Sequence, residues 1–585
     1  MTDTNDQKYL LQQNPWYQAS AGSAIVSGVF AGIVLTLLLI QTYHIRWTDP
    51  KQTDKLAALR KSYQSGPADE ILAEEIRQKD TRQRRAQYAR LQFVHRGSVL
   101  FVFWLAAFVG SLTWMRSFRQ KLPHPVRQTD LSIRQIQFAD RFRLAVAMAL
   151  TLLGGGGLFV ALRPGQPPTS GAAEQEFATG QAEDRPVFAS WEQMKQNWPV
   201  FRGPEGSGVC PFEKIPTQWD GPSGQNIRWK TAVPLSGHNS PIVWDKRVFL
   251  TGASEKKQQI FCFDADNGSL LWNGDVPVST DPQRKEMSIL EETGYAASTA
   301  ATNGAYVAAI FADGQVGCFD LTGKRQWVCS LGVPASAYGY AASLTVYEDR
   351  LIIQMDQDYE PGASKLIALD IASGKTLWQT ERPVPNSWSS PTVVQLNGRA
   401  QILASGSPWV IGYDPADGKE LWRVECLGGD VAPTQVVSRG KVFAVEPYTH
   451  LVAIDPAAPS EEGTPGRLLW TAEGSIPDIS SPIVSDQLVW TLDTGGTLGC
   501  YDIRDGSKVY AQDLDAMFQA SGSLVDQILY LQSTKGKMIL LKAGSVYEKV
   551  AENELGEEIF ASAAFAPGRI YLRGTHHLYC IETKL

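Results

Sequence analysis

Two kinds of hydrophobic pattern divide the chain. Up to Arg163 the apolar positions gather into long uncharged runs. Ala21–Ile40 is nearly all apolar, and Gly97–Met115 and Leu144–Leu162 each run 19 residues without a charge. Runs of about 20 apolar residues match the hydrocarbon thickness of a bilayer, so three transmembrane helices are predicted at about 21–43, 97–115 and 144–162. After residue 190 the apolar residues fall instead into short stretches of strand-forming type, such as Arg247–Leu250 and Gln487–Trp490. Many of these end in Asp, then a small polar cluster with Gly, then a brief run closed by an aromatic residue. That alternation of strand and turn signals predicts β-structure throughout.

The closing phrase repeats. Asp370–Trp378 reads DIASGKTLW, Asp414–Trp422 DPADGKELW, Asp264–Trp272 DADNGSLLW, Asp320–Trp327 DLTGKRQW and Asp502–Tyr510 DIRDGSKVY, while Asp455–Trp470 keeps both ends around an insertion. Gly supplies the positive φ a tight turn needs and Asp bonds its own turn backbone, so each phrase is a hairpin. The Asp residues stand 56, 50, 44, 41 and 47 positions apart. An all-β period of this size predicts four-stranded propeller blades. Outer-strand aromatic slots fall at Trp229, Trp272, Trp327, Trp378, Trp422, Trp470, Tyr510 and Tyr547, the last after a degraded turn, which predicts eight blades. Trp229 has no strands of its own before it, and residues 559–583 supply three strands with no fourth. The N-terminal strand is therefore expected to complete the last blade and close the ring. Trp378 and Trp422 are expected to be largely buried between blades.

The predicted fold class is thus an all-β eight-bladed propeller preceded by a helical transmembrane region. The domains are a membrane region at 1–163, a flexible linker at 164–190 rich in Pro, Gly, Ala, Glu and Gln, and the propeller at 191–585. A cleaved signal peptide fits the first run poorly, because one Lys faces Asp3 and Asp6 and no small-x-small site follows. Residues 46–96 carry 12 Lys or Arg, with acids gathered early and bases late, as in a solvated helix aligned with its dipole. Residues 116–143 carry seven Lys or Arg against two Asp. Placing that loop inside puts the propeller on the periplasmic side of the inner membrane, although the longer loop, with more bases, then lies outside. Trp198–Gly208, dense in Gly and Pro, is expected to be an ordered loop laid on the propeller.

Charge and chemistry narrow the possibilities. A net charge of −7 makes a nucleic-acid surface unsuitable as a description of the whole molecule. Cys262, Cys318 and Cys500 stand two before the phrase Asp and Cys580 two before Glu582, a slot that elsewhere holds Ala368, Gly412 or Ala453. They are expected to be small buried hydrophobes rather than disulfides or ligands. Asp264–Gly268 has a calcium-loop flavour, but Gly stands at the fifth ligand position and the segment already serves as a turn. Asp356, Asp358 and Glu360 form an acidic loop that is expected to be solvated, with a cation site as the sharper alternative. His238, His450, His576 and His577 show no metal-ligand spacing. The serines before the strand-opening prolines, Ser240, Ser390 and Ser481, offer hydroxyls but no matched carboxylates.

The repeated phrase resembles the tryptophan-docking motif of the quinoprotein family, and the opener WPVFRGPEGSG resembles that of PQQ-like repeat proteins of planctomycete-type bacteria. The resemblance covers residues 198–585. It implies an eight-bladed propeller in which each outer-strand Trp packs on the next blade, a structural role. The dehydrogenases of that family carry features that do not map here: no Cys-Cys pair, no Cys-x-x-Cys-His and no calcium-ligand set. In its economical blades the chain resembles the scaffold propeller of the outer-membrane β-barrel assembly machinery. The expectation is a membrane-tethered scaffold with protein partners, no catalytic, cofactor or metal residues and no cofactor. Two alternatives are a reduced quinone-dependent membrane dehydrogenase and a binding or sensor module for glycans or small ligands.

Overall fold

The computed structural model describes residues 187–583 apart from 288, 291–292, 337, 358–361 and 460–464, together with the isolated positions Phe30 and Thr36. The three predicted spans, the charged loops between them and the linker to residue 186 lie outside the described residues, those two positions excepted. Among the described residues no helix is long and apolar enough to cross a membrane.

Eight antiparallel sheets carry the fold. Blade 1 comprises Ile242–Trp244, Arg247–Ser254, Lys257–Asp264 and Leu270–Val276. Blades 2 to 7 follow the same inner-to-outer order and end at Ser330, Glu381, Glu425, Glu473, Asp513 and Glu554. Blade 8 takes Ala564–Ala566, Arg569–Arg573 and His577–Glu582 from the C-terminal end and Ile227–Ala232 as its outer strand, with Trp229 opposite Cys580. The ring closes as the strand count predicts. A closed ring leaves no long sheet edge at the seam.

Local chemistry builds each hairpin. The Asp370 carboxylate accepts from the Ser373 amide at 2.8 Å and its hydroxyl at 2.7 Å, and the Gly374 amide, at φ +73°, donates to the Asp370 carbonyl. Just beyond the turn every outer strand carries a β-bulge at one position. Ala368 pairs with Trp378 but Leu369 with Thr376, so Leu377 is the extra residue. Residues 228, 271, 326, 421, 469, 509 and 550 hold the same place in the other blades. The bulge bends the strand and re-aims the next side chain, which turns the aromatic residue toward the neighbouring blade. The residue that bulges is set outward, which accounts for the exposure of Leu271, Leu377, Leu469, Val509 and Val550.

Blade 7 departs from the sequence reading. Tyr547 lies in the bend before the outer strand, and the residue opposite Leu540 is Ala551. The degraded turn is longer than the phrase predicts and delays the strand, so the aromatic slot falls on alanine. Trp422 is 3% exposed, and Trp378 is largely though less completely buried, like Trp272, Trp327 and Trp470.

The cysteine slot behaves as anticipated. All four of its cysteines are free and buried, and burial pushes the Cys262, Cys500 and Cys580 thiols up to about 12. They are small apolar fillers opposite the aromatic slot.

Candidate functional site

Three arrangements hold the polar and aromatic side chains that the sequence singles out: the seams between blades, the axis of the ring, and a buried charge cluster between blades 3 and 4.

At the seams the indole N–H of one blade donates to the carbonyl after the phrase Asp of the next. Trp229 bonds Ala265 at 3.1 Å, Trp272 Leu321 at 3.1 Å, Trp327 Ile371 at 2.8 Å, Trp378 Pro415 at 3.1 Å and Trp470 Ile503 at 3.2 Å. Each indole also lies on the phrase glycine of that next blade. A Cβ on Gly418 would fall 2.4 Å from Trp378, and one on Gly374 2.6 Å from Trp327. Glycine is thus required twice, by its φ and by the ring stacked on it. Trp422 is the exception: the insertion in blade 5 displaces that turn, and the indole donates instead to Gln401 Oε1 of its own blade at 2.8 Å. Tyr510 has no N–H, and its hydroxyl accepts from Trp490 Nε1.

On the axis, one hydroxyl residue precedes the inner strand of every blade: Ser240, Thr299, Ser343, Ser390, Thr434, Ser481, Ser521 and Ser562. The backbone N–H of seven of them, all but Ser521, donates to the hydroxyl of the next blade. Links run from Ser240 to Thr299 (3.0 Å), Thr299 to Ser343 (3.2 Å), Ser343 to Ser390 (2.8 Å), Ser390 to Thr434 (3.1 Å), Thr434 to Ser481 (3.0 Å) and Ser481 to Ser521 (2.9 Å), and across the seam from Ser562 to Ser240 (3.0 Å). Ser240, Ser390 and Ser481 among them are the hydroxyls that the sequence singles out as lacking matched carboxylates. The structure commits them to a girdle that satisfies buried amides.

Below the girdle the N-terminal part of the propeller domain runs against the inner strands of several blades. A short capped helix, Trp191–Lys195, precedes it. Trp198, fully buried, then exchanges both backbone bonds with Val243 of blade 1, the Thr302 amide of blade 2 donates to Pro199, and Val209–Cys210 pairs in parallel with Ser523–Val525 of blade 7. Gly206 presses on Thr392 of blade 4. Arg202, 1% exposed, reaches the Pro482 carbonyl of blade 6 at 2.8 Å, and burial without a carboxylate partner pushes its pKa down to about 9. The opener is therefore an ordered strap that crosses the channel, further inside than a loop laid on the surface.

Between blades 3 and 4 lies a charge cluster absent from the sequence reading. Arg382 bonds Asp356 through Nε at 2.7 Å and Nη2 at 3.2 Å, and Nη1 donates to the Tyr413 hydroxyl at 3.1 Å. Ser387 and Gln354 complete the carboxylate's shell at 2.5 and 2.8 Å. Burial opposes the Arg382 charge, but Asp356 and Tyr413 outweigh it and hold the guanidinium above its ordinary range. Asp356 is thus an interior ion-pair partner, not a member of a solvated acidic loop; Asp358 and Glu360 lie outside the described residues. No local signal could have paired positions 26 residues apart across a loop.

The remaining candidates are accounted for locally. Asp264 Oδ1 accepts from the amides of Asp266 and Asn267, as a turn carboxylate. His577 Nδ1 meets Glu557 at 2.8 Å, His450 lies between Glu446 and Glu473, and His238 packs edge-on against Phe560. Among the described residues no group of three His, Cys, Asp or Glu is placed to hold a metal.

Comparison with known proteins agrees with this architecture. The family model described as outer membrane protein assembly factor BamB matches residues 217–335, 292–512 and 406–584. An outer membrane protein assembly factor BamB of Nitrosomonas eutropha is 27% identical over 177 residues, covering 28% of this chain and 40% of that protein. A tetrathionate hydrolase of Acidithiobacillus ferrooxidans is 20% identical over 229 residues, covering 39% and 44%. The chain therefore spans about two fifths of the length of these curated relatives. A quinohemoprotein alcohol dehydrogenase of Pseudomonas putida shares the fold with a TM-score of 0.52 at 12% identity, over 68% of this chain and 83% of that one. With repeats, closure and docking seams in place over residues 217–584, the chain belongs to the PQQ-like propeller family described as outer membrane protein assembly factor BamB.

Proposed function

We propose that the protein is a membrane-tethered propeller that acts as a protein-interaction scaffold without catalysis of its own. The observation that carries this is the occupied axis. A cofactor enzyme built on such a ring needs side chains that converge on an enclosed cofactor. Here the girdle hydroxyls are bonded to backbone and the buried strap runs along the inner strands beneath them. What remains for recognition is the loop surface. Membership in the BamB family favours protein partners, and the three runs at about 21–43, 97–115 and 144–162 would tether the propeller to the inner membrane, on the periplasmic side.

Two measurements on the full-length protein test this. Titration with pyrroloquinoline quinone and calcium is expected to leave the melting temperature unchanged, and one tightly bound quinone per chain would promote the reduced dehydrogenase in its place. Site-specific photo-crosslinking in native membranes, scanned over both propeller faces, is expected to give discrete protein adducts from one face. Adducts from neither face would remove the scaffold reading.

A further inference from the structure

We propose that the loop face over blades 5 and 6 docks a basic protein segment carrying an apolar side chain, a proposal that rests on the scaffold reading and names its partner chemistry. In a four-stranded meander, the hairpins joining second to third strands and the connections between blades lie at one end of the ring. For this sector they are residues 425–435, 446–450, 473–482, 493–497 and 513–522. None of these loops contains Lys or Arg. They carry Glu446, Glu473, Asp478, Asp493 and Asp515 among their acids, and the basic side chains that meet them include His450, with Nδ1 3.0 Å from Glu446 and Nε2 3.4 Å from Glu473, and Lys508 of the blade 6 outer strand, whose Nζ lies against Gly474.

Two large apolar side chains stand in this acidic field. Tyr448 is 57% exposed and Ile479 is 42% exposed. Their loops are joined: the Tyr448 amide donates to the Pro477 carbonyl at 3.2 Å, and its hydroxyl to Asp478 at 3.1 Å. Asp478 is braced in turn by the Thr494 hydroxyl of blade 6. Tyr448 sits at φ +64°, a conformation bulky residues seldom adopt, so the hairpin holds the ring out at its tip. An aromatic anchor with two χ angles, fixed by a hydrogen bond and ringed by charge of one sign, is the arrangement protein interfaces use for a hot spot. The excess of acids over bases selects a basic partner and speeds its encounter. The strap meets this sector where Arg202 donates to the buried Pro482 carbonyl, and Tyr448 and Ile479 stay exposed with it in place.

The test uses full-length protein in phosphatidylcholine nanodiscs and a fluorescein-labelled 12-residue peptide of alternating Lys and Leu, with empty nanodiscs subtracted. Anisotropy is expected to show binding that weakens at high salt. Tyr448→Ala and the double variant Glu473→Gln/Asp478→Asn are each expected to weaken it about ten-fold, the scale of one interface hot spot, with melting temperatures unchanged. Equal binding by both variants would overturn the proposal. So would equal binding of an alternating Lys–Ser peptide, which would reduce it to bulk charge attraction, or abolition by millimolar calcium with a rise in melting temperature, which would mark a cation site. Native crosslinks that persist from other loops after such a result would leave the scaffold reading intact and remove only this surface.

Discussion

Trp378→Ala isolates what a docking tryptophan contributes. The indole is largely but not fully buried, donates to Pro415 of blade 4 at 3.1 Å and covers Gly418. A fully buried Trp or Phe truncated to Ala costs about 3–5 kcal/mol. With part of the ring exposed the apolar share falls to about 2 kcal/mol, and the Pro415 carbonyl loses a bond with a net contribution of about 1 kcal/mol. The expected cost is about 2–3 kcal/mol, below the 3–5 kcal/mol expected for Trp422→Ala, whose ring is 3% exposed and whose loss would orphan the buried Gln401. Trp378→Phe keeps most of the ring and removes only the N–H, so it should cost about 1 kcal/mol. Denaturant melts followed by tryptophan fluorescence, with equal slopes confirming a common transition, would give the three values. If Trp378→Ala costs as much as Trp422→Ala, or less than about 1 kcal/mol, burial does not set the strength of the seams.

Other perturbations probe the axis and the charge cluster. Ser390→Ala removes the acceptor of the buried Ser343 amide and should cost about 1–3 kcal/mol in the same melts, with Ser390→Thr largely restoring it. Asp356→Asn leaves Arg382 buried without its carboxylate and should cost about 3–5 kcal/mol, whereas reversal at the exposed pair Lys542–Glu548 should cost under about 1 kcal/mol. His450 is held above its ordinary value by its bond to Glu446. Its contribution is therefore present in full below the unfolded-state pKa of about 6.5 and is lost as pH rises through the higher folded value. Melting temperatures of wild type and His450→Gln should converge above that pH, and a gap that widens there would refute the assignment. Gly418→Ala, with its Cβ 2.4 Å from Trp378 and φ at +72°, should lower the melting temperature by several degrees, as expected for about 1–2 kcal/mol.

By itself the sequence determined the repeat, the number of blades and the closure, because these rest on local rules. Asp and Gly at a fixed offset make a turn whatever surrounds them, and a missing strand at one end must be matched by a surplus at the other. Small residues at the cysteine slot were legible for the same reason, since the slot recurs in register with the turn. Where the local signal weakened, the reading slipped: the turn of blade 7 places Ala551, not Tyr547, in the outer slot. What a side chain meets in another blade was decided only by the tertiary structure. The repeat showed glycine as a turn residue, but the stacked indole that also requires it comes from the preceding blade. The serines read as free hydroxyls, yet each accepts a backbone amide from a neighbour 40 or more positions away. Asp356 read as one of three solvated acids, but Arg382 and Tyr413 draw it into the interior. Partners of this kind are set by the rotation between blades, a property of the closed ring that no short stretch of the chain encodes.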